Sequence, residues 1–212
     1  RADAAASGST VAAAAVGSAA ARRNRRRGLR PEVSPPAPVS RGRFLTFEGG
    51  EGAGKSTQVA VLEDALKRAG IDVVVTREPG GTPGANIIRQ AILSGAAARF
   101  GAGVETLLFA AARAEHVDSV IAPALAAGRW VLCDRFLDST RVYQGGAGVE
   151  PGLLRALEAV TVGRTVPDLT LILDLPASVG LERANARRGG GRVDRFEAET
   201  LAVHEERRRR VL

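Results

Sequence analysis

The 212-residue sequence contains no methionine, a single cysteine and only two lysines. Cys133 stands alone, so no disulfide can form within the chain, which suits a reducing compartment. Cys133, His116 and His204 have no partners at ligand spacing; no transition-metal site is expected, and all three read as structural or incidental. No apolar run is long enough to span a membrane as a helix. With lysine only at Lys55 and Lys67, there is no Asn-Lys-x-Asp motif for reading guanine, which argues against a switch GTPase. Methionine is absent even from position 1, and the chain stops at Val211-Leu212 inside a helical pattern. It therefore reads as a fragment or processed chain short of both natural ends.

What is abundant is arginine. The net charge of +7 would suggest nucleic acid if it were spread over a folded surface. Residues 1–43, however, hold nine arginines and two acids, and the remainder is neutral, with 21 bases against 21 acids. Residues 1–42 are low-complexity, with Ala/Ser/Gly first, then Arg22-Arg23-Asn24-Arg25-Arg26-Arg27, then the prolines from Pro31 to Pro38. Such a segment buries too little to fold and is expected to be a disordered tail. Its Arg- and Ala-rich, acid-poor composition has the style of an organelle transit peptide. It fits rather better an upstream extension of a reading frame whose start lies near Arg41, and least well a basic arm for nucleic acid or anionic lipid. The domain over residues 43–212 is expected to bind neither nucleic acid nor membrane. Its expected compartment is the cytoplasm, or an organelle if the tail is a transit peptide.

The domain is organised around Gly49-Gly50-Glu51-Gly52-Ala53-Gly54-Lys55-Ser56, followed by Thr57. This fits G-x-x-x-x-G-K-[ST], the phosphate-binding loop. Residues 43–48 before it read as a short strand. After it, Val59, Leu62, Leu66 and Ala69 share a helical face that Gly70 ends. Glycines let backbone N–H groups close around an anion, and the helix N-terminus adds partial positive charge. Lys55 can reach the β- and γ-phosphates and Ser56 can ligate Mg²⁺.

Beyond the loop, strand and helix alternate. Strands are expected at residues 72–76, as a buried strand, at 130–134, and at 169–175, a near-continuous apolar run. Helices are expected at 85–93, over 104–127 with a break near Pro123, at 151–162, 177–187 and 195–212. Residues 101–103 and 188–193 read as loops, and 136–149 as a loop with some helix. Apolar runs joined by helices argue a parallel α/β sheet covered on both faces, with its site beyond the carboxyl ends of the strands. Arg77-Glu78, Asp134-Arg135 and Asp174 fall there. Asp134, after a buried strand, is placed to orient Mg²⁺, and Arg135 can grip a second phosphate as a fork. Phe109 and Arg113 are i and i+4 on one helix; spacing alone fits core packing of Phe109 better than a ligand contact.

Five stretches together carry a resemblance: Phe47–Thr57, Thr76–Gly81, Leu108–Arg113, Asp134–Phe136 and Ser139–Gly145. They are similar to the motifs of thymidylate kinases, and the match runs from Arg43 to the end. The resemblance implies the P-loop nucleoside monophosphate kinase fold and Mg²⁺-dependent transfer of the ATP γ-phosphate to dTMP, commonly in a homodimer. Another P-loop nucleotide or small-molecule kinase is the alternative. It further implies that Gly49 to Thr57 hold ATP and that Ser56 and Asp134 hold the metal. Glu51, Arg77, Phe109, Arg113, Arg135, Ser139, Tyr143 and Gln144 would hold dTMP. Within that set Glu51 would accept from the 3′-OH, Phe109 stack on the pyrimidine, and Arg113 donate to a thymine carbonyl. Tyr143 and Gln144, in a Gly-rich loop, would close over the nucleoside, with Tyr143 near C2′. Lys55 and Glu51 would act in catalysis. Gly52 stands where some relatives carry an arginine, so the missing cation would come from Arg187, Arg188, Arg192 and Arg195 in a lid around 187–195. Family members continue with a final strand and helix that this chain is expected to lack.

Overall fold

The computed structural model describes residues 41–189 and 193–212. Four strands form one parallel sheet: β1 (Phe44–Gly49), β2 (Val73–Arg77), β3 (Trp130–Asp134) and β4 (Leu169–Leu173). Their order is β2-β3-β1-β4. Successive side chains of a strand leave opposite faces, and β1 and β3 contribute apolar residues to both. Phe44, Val131 and Cys133 enter one core with Val117, Ile121, Leu125 and Phe136. Leu45, Phe47 and Leu132 enter a second core with Val59 and Leu66. That second face is covered by α1 (Lys55–Arg68). The first is covered by the turn Val117–Ile121 that follows α3 (Gly101–His116), by α4 (Ala122–Ala126) and by α6 (Pro151–Val162). The remaining helices are α2 (Pro83–Leu93), α5 (Leu137–Gly146), α7 (Ala177–Arg188) and α8 (Leu201–Val211). The N-terminal tail and Arg192 lie outside the described residues.

Several expectations are corrected. The strands at 72–76 and 169–175 are not fully buried, because β2 and β4 are the edges of the described sheet. Val75 is 42% exposed, Leu169 54% and Ile172 44%. An apolar run signals a strand but not its rank in the sheet. Helix α3 begins at Gly101, within the expected loop. Its break comes before Pro123, where residues Val117–Ile121 widen into a π-turn. A proline has no N–H to offer the carbonyl one turn back, and a π-turn absorbs the mismatch without ending the helix.

The region 136–149 is mostly helix α5 rather than loop. Gly145 and Gly146 weaken the local signal, but Leu137, Thr140 and Gln144 are buried on one face and Val142 is buried as well, and packing overrides propensity. Tyr143 and Gln144 thus stand on a rigid helix. At the other end, residues 195–198 form turns, because the Asp194 carboxylate accepts from Phe196 N at 2.8 Å and Glu197 N at 2.9 Å. This local bonding competes with helix, which starts only at Leu201.

Candidate active site

The glycine loop joins β1 to α1 at the carboxyl edge of the sheet. Its shape depends on a reciprocal contact with α7. A Cβ on Gly52 would lie 1.9 Å from the Gly180 carbonyl oxygen, and one on Gly180 would lie 2.2 Å from the Glu51 carbonyl oxygen. Only two glycines let loop and helix backbones approach this closely. Lys55 is buried and donates to the loop's own carbonyls, Gly49 O at 3.0 Å and Gly50 O at 2.7 Å. Burial, reinforced by Arg135 and opposed by Glu51, lowers its pKa to about 8. Ser56 Oγ donates to Asp134 Oδ2 at 2.8 Å. A hydroxyl and a carboxylate oxygen converging in this way are hard ligands, the donor type that suits Mg²⁺.

Beside the loop lies a cavity. Glu51, Phe109, Arg113, Arg135, Ser139, Tyr143 and Gln144 all line it. They come from four separate stretches of chain, and the fold brings them to one wall-lined space. Arg135 is the hinge between loop and cavity. It has φ of 72°, a left-handed conformation that non-glycine residues rarely adopt. Its Nη2 donates to Glu51 Oε1 at 2.6 Å and its Nη1 to Ser139 Oγ at 3.2 Å. The guanidinium also lies 5.3 Å from the centre of the Tyr143 ring. Burial disfavours its charge, but Glu51 outweighs that and its pKa is raised. For Glu51 burial pushes the pKa up, while Arg135 and Lys55 bring it down to about 2. Tyr143 donates its hydroxyl to the same Oε1 at 3.1 Å. Burial pushes the phenol up to about 12.

At the far wall, Arg113 is buried on α3. It donates Nε to Glu78 Oε2 at 2.7 Å, and Nη2 to Phe136 O at 3.1 Å and Thr140 Oγ1 at 2.8 Å. Phe109, one turn earlier, has its ring 6.1 Å from that of Phe196.

Arg77 is not in this wall. It ends β2 exposed, in a groove with Ser56 and Asp134. Arg89 of α2 lines the cavity in its stead, held by a 2.7 Å bond from Nη1 to Pro79 O. A lone arginine on α2 carries no signal of spacing; the turn after β2 alone brings it in. Three more residues have roles that the sequence did not assign, although it placed Glu78 at the carboxyl edge. Phe196 lines the cavity and packs on Tyr143 as well as Phe109. Glu78 holds Arg113. Glu48, buried at the end of β1, accepts from Phe136 N at 2.7 Å, Ser139 N at 3.3 Å and Ser139 Oγ at 2.6 Å. It is an anion set at the N-terminus of α5; burial raises its pKa and the Ser139 bond opposes the rise.

The lid arginines are dispersed. Arg187 is exposed at the end of α7. Arg188 Nη2 pairs with Glu197 Oε2 at 2.8 Å, and Arg195 pairs with Glu105. None of these three lines the cavity, although their neighbours Asp194 and Phe196 do. Asp174 is paired with Arg208, at 2.5 and 2.9 Å. A phosphate-binding loop with a metal-type oxygen pair therefore abuts a cavity floored by two arginines and walled by aromatic rings. That layout serves transfer between two phosphates.

A family model described as Thymidylate kinase matches residues 47–212. The chain is 62% identical over 174 residues to the thymidylate kinase of Nitrobacter winogradskyi, a match covering 82% of this chain and 76% of that protein. It is 62% identical over 165 residues to that of a Bradyrhizobium species, covering 77% and 73%. Among solved structures it is similar to the thymidylate kinase of Ehrlichia chaffeensis, with a TM-score of 0.60 and 37% identity over 68% of this chain and 83% of that one. On sequence, fold and site together, the chain belongs to the thymidylate kinase family.

Proposed function

We propose that the cavity receives dTMP and the glycine loop receives ATP, so that the chain moves the ATP γ-phosphate onto the dTMP 5′-phosphate, giving dTDP and ADP. The observation that carries this reading is Arg135, which bonds to Glu51 of the loop while lining the cavity. Phosphoryl transfer asks the protein mainly for alignment and charge neutralisation. Arg135 and Arg89 grip the acceptor phosphate. Phe109 stacks on the base, Arg113 donates to a base carbonyl, and Glu51 accepts from the 3′-hydroxyl. The Tyr143 ring lies where a 2′-hydroxyl would need room. Lys55 leaves the loop carbonyls for the β- and γ-phosphates when they arrive. Ser56 and Asp134 would hold Mg²⁺, which supplies positive charge to the donor phosphates. Arg187, Arg188, Arg192 and Arg195 are the proposed source of further charge, brought in by movement of their segment.

A homodimer is the proposed assembly. Val104 and Leu107 on α3 and Leu153 and Val160 on α6 are apolar and exposed, at 42, 50, 39 and 83%. Neighbouring exposed apolar faces of this kind mark contact surfaces. Light scattering on the purified protein is expected to report twice the chain mass.

The reaction is tested by ADP release from Mg²⁺-ATP with dTMP, dUMP, dCMP and AMP offered in turn. Release with dTMP well above the others is expected, with dUMP next. A methyl group distinguishes these two by only ~1–3 kcal/mol. Equal release with all four would remove the base assignment.

A further inference from the structure

Arg113 is held by a chain of buried polar groups that ends on a histidine with no other evident role. Glu78 presents one carboxylate oxygen to Arg113 Nε at 2.7 Å and the other to His116 Nδ1 at 3.1 Å. His116 Nε2 lies 2.6 Å from Thr76 Oγ1. Glu78, Arg113 and His116 are 5%, 4% and 0% exposed. Arg113 and His116 are i and i+3 on α3, so one helical face presents both to the same carboxylate. An ionised carboxylate only accepts, so Nδ1 donates to it, and Nε2 shares a hydrogen bond with the Thr76 hydroxyl.

Gly81 makes room for this chain. A Cβ there would stand 2.5 Å from both His116 Nε2 and Thr76 Oγ1. The turn after β2 is thus shaped around the histidine as well as around the cavity.

From this geometry we infer that His116 is a positioning residue for acceptor-base recognition: by fixing the Glu78 carboxylate, it fixes the direction in which Arg113 faces the cavity. The inference rests on the assignment of the cavity to dTMP. One bond at Nε and two at Nη2 leave the Nη1 amino group free among the described residues, and a planar guanidinium turned by a small angle no longer aims it at a carbonyl. Without His116, one oxygen of a buried carboxylate has no partner, and the group turns to find one. Arg113 turns with it.

The test uses the full chain and two substitutions of equal size. In His116→Asn the amide N–H₂ takes the place of Nδ1–H; in His116→Leu nothing does. His116→Leu is expected to raise the KM for dTMP about tenfold, the loss of one hydrogen bond to a charged group. The KM for ATP should stay within about twofold on the same scale. His116→Asn should restore most of the dTMP KM. Equal effects of Asn and Leu, or parallel movement of both KM values, would overturn the inference. Should His116→Leu not fold, Thr76→Val against Thr76→Ser asks the same question at the outer end of the chain. Valine alone should weaken dTMP, and equality of the two overturns it. Arg113→Ala is the control that separates the two readings. An unchanged dTMP KM there means that the cavity assignment fails and His116 positions nothing. A raised one with a silent His116→Leu means that the cavity stands and the positioning role falls.

Discussion

The acceptor cavity and the lid segment are both rich in arginine, yet they hold it differently. In the cavity, Arg113 is buried and Arg135 half-buried, and each makes three directed contacts to groups from other elements. Along the lid, Arg187 is exposed, while Arg188 and Arg195 are each held by a single carboxylate in a part-buried pair. A buried cation needs its partners to exist at all. A cation held by one carboxylate has fewer directed bonds to give up before it can move than one held by three groups. The first arrangement suits recognition of a substrate whose shape is constant. The second suits charge that is delivered only when the phosphates are in place.

The comparison is most exposed to failure on the lid side. Replacing Arg187, Arg188, Arg192 and Arg195 together by glutamine should lower kcat by ~10³ while leaving the KM for dTMP nearly unchanged. Steady-state kinetics decide this, and an unchanged kcat would reduce the lid to a solvated basic loop. On the cavity side, the Glu51–Arg135 pair should show in stability. The folded pKa of Glu51, about 2, lies below its ordinary 4.5. Its contribution is complete above about pH 4.5 and is lost as pH falls toward 2, a loss of about 3 kcal/mol. Urea unfolding at pH 6 and pH 3 should show Glu51→Gln losing less stability than the parent over that interval.

Arg113→Ala should raise the KM for dTMP about thirtyfold, the scale of a charged hydrogen bond in a dry site, and leave ATP little affected. Equal effects on both substrates would sink the base assignment. The smallest effect sharpens the boundary between the two regions. Gly180→Ala drives a methyl against the Glu51 carbonyl, and overpacking of this kind costs about 1–3 kcal/mol. Thermal unfolding should fall accordingly. The KM for ATP should rise, because the loop that moves is the one expected to hold phosphate.

Parts of this were legible in the letters. Gly49 to Ser56, β3 at Trp130–Asp134 and α6 at Pro151–Val162 stand where the pattern puts them. In each case the determinant is local: a glycine spacing, a short apolar run, or a proline at a helix start. Less legible was α5, whose serine, threonine and glycine residues are weak helix formers stabilised by what they bury. The roles of Glu48, Glu78, Arg89 and Phe196 were invisible for another reason. A single acid, arginine or phenylalanine has no spacing to betray it, and its role exists only through a partner distant in sequence. Glu48 meets Ser139 and Glu78 meets Arg113 across the sheet's carboxyl edge.

By itself, then, the sequence determined the chemistry of this protein: a phosphate loop, an Asp-Arg pair, the motifs of its family and the alternation that makes a parallel sheet. Those are properties of neighbours along the chain, set by backbone sterics and side-chain period. The tertiary structure alone decided which arginines line the cavity, that Arg89 is among them and Arg77 is not, and that His116 stands behind Arg113. Such choices depend on which polar groups find partners once buried, and burial is a property of the packed molecule rather than of any stretch of it.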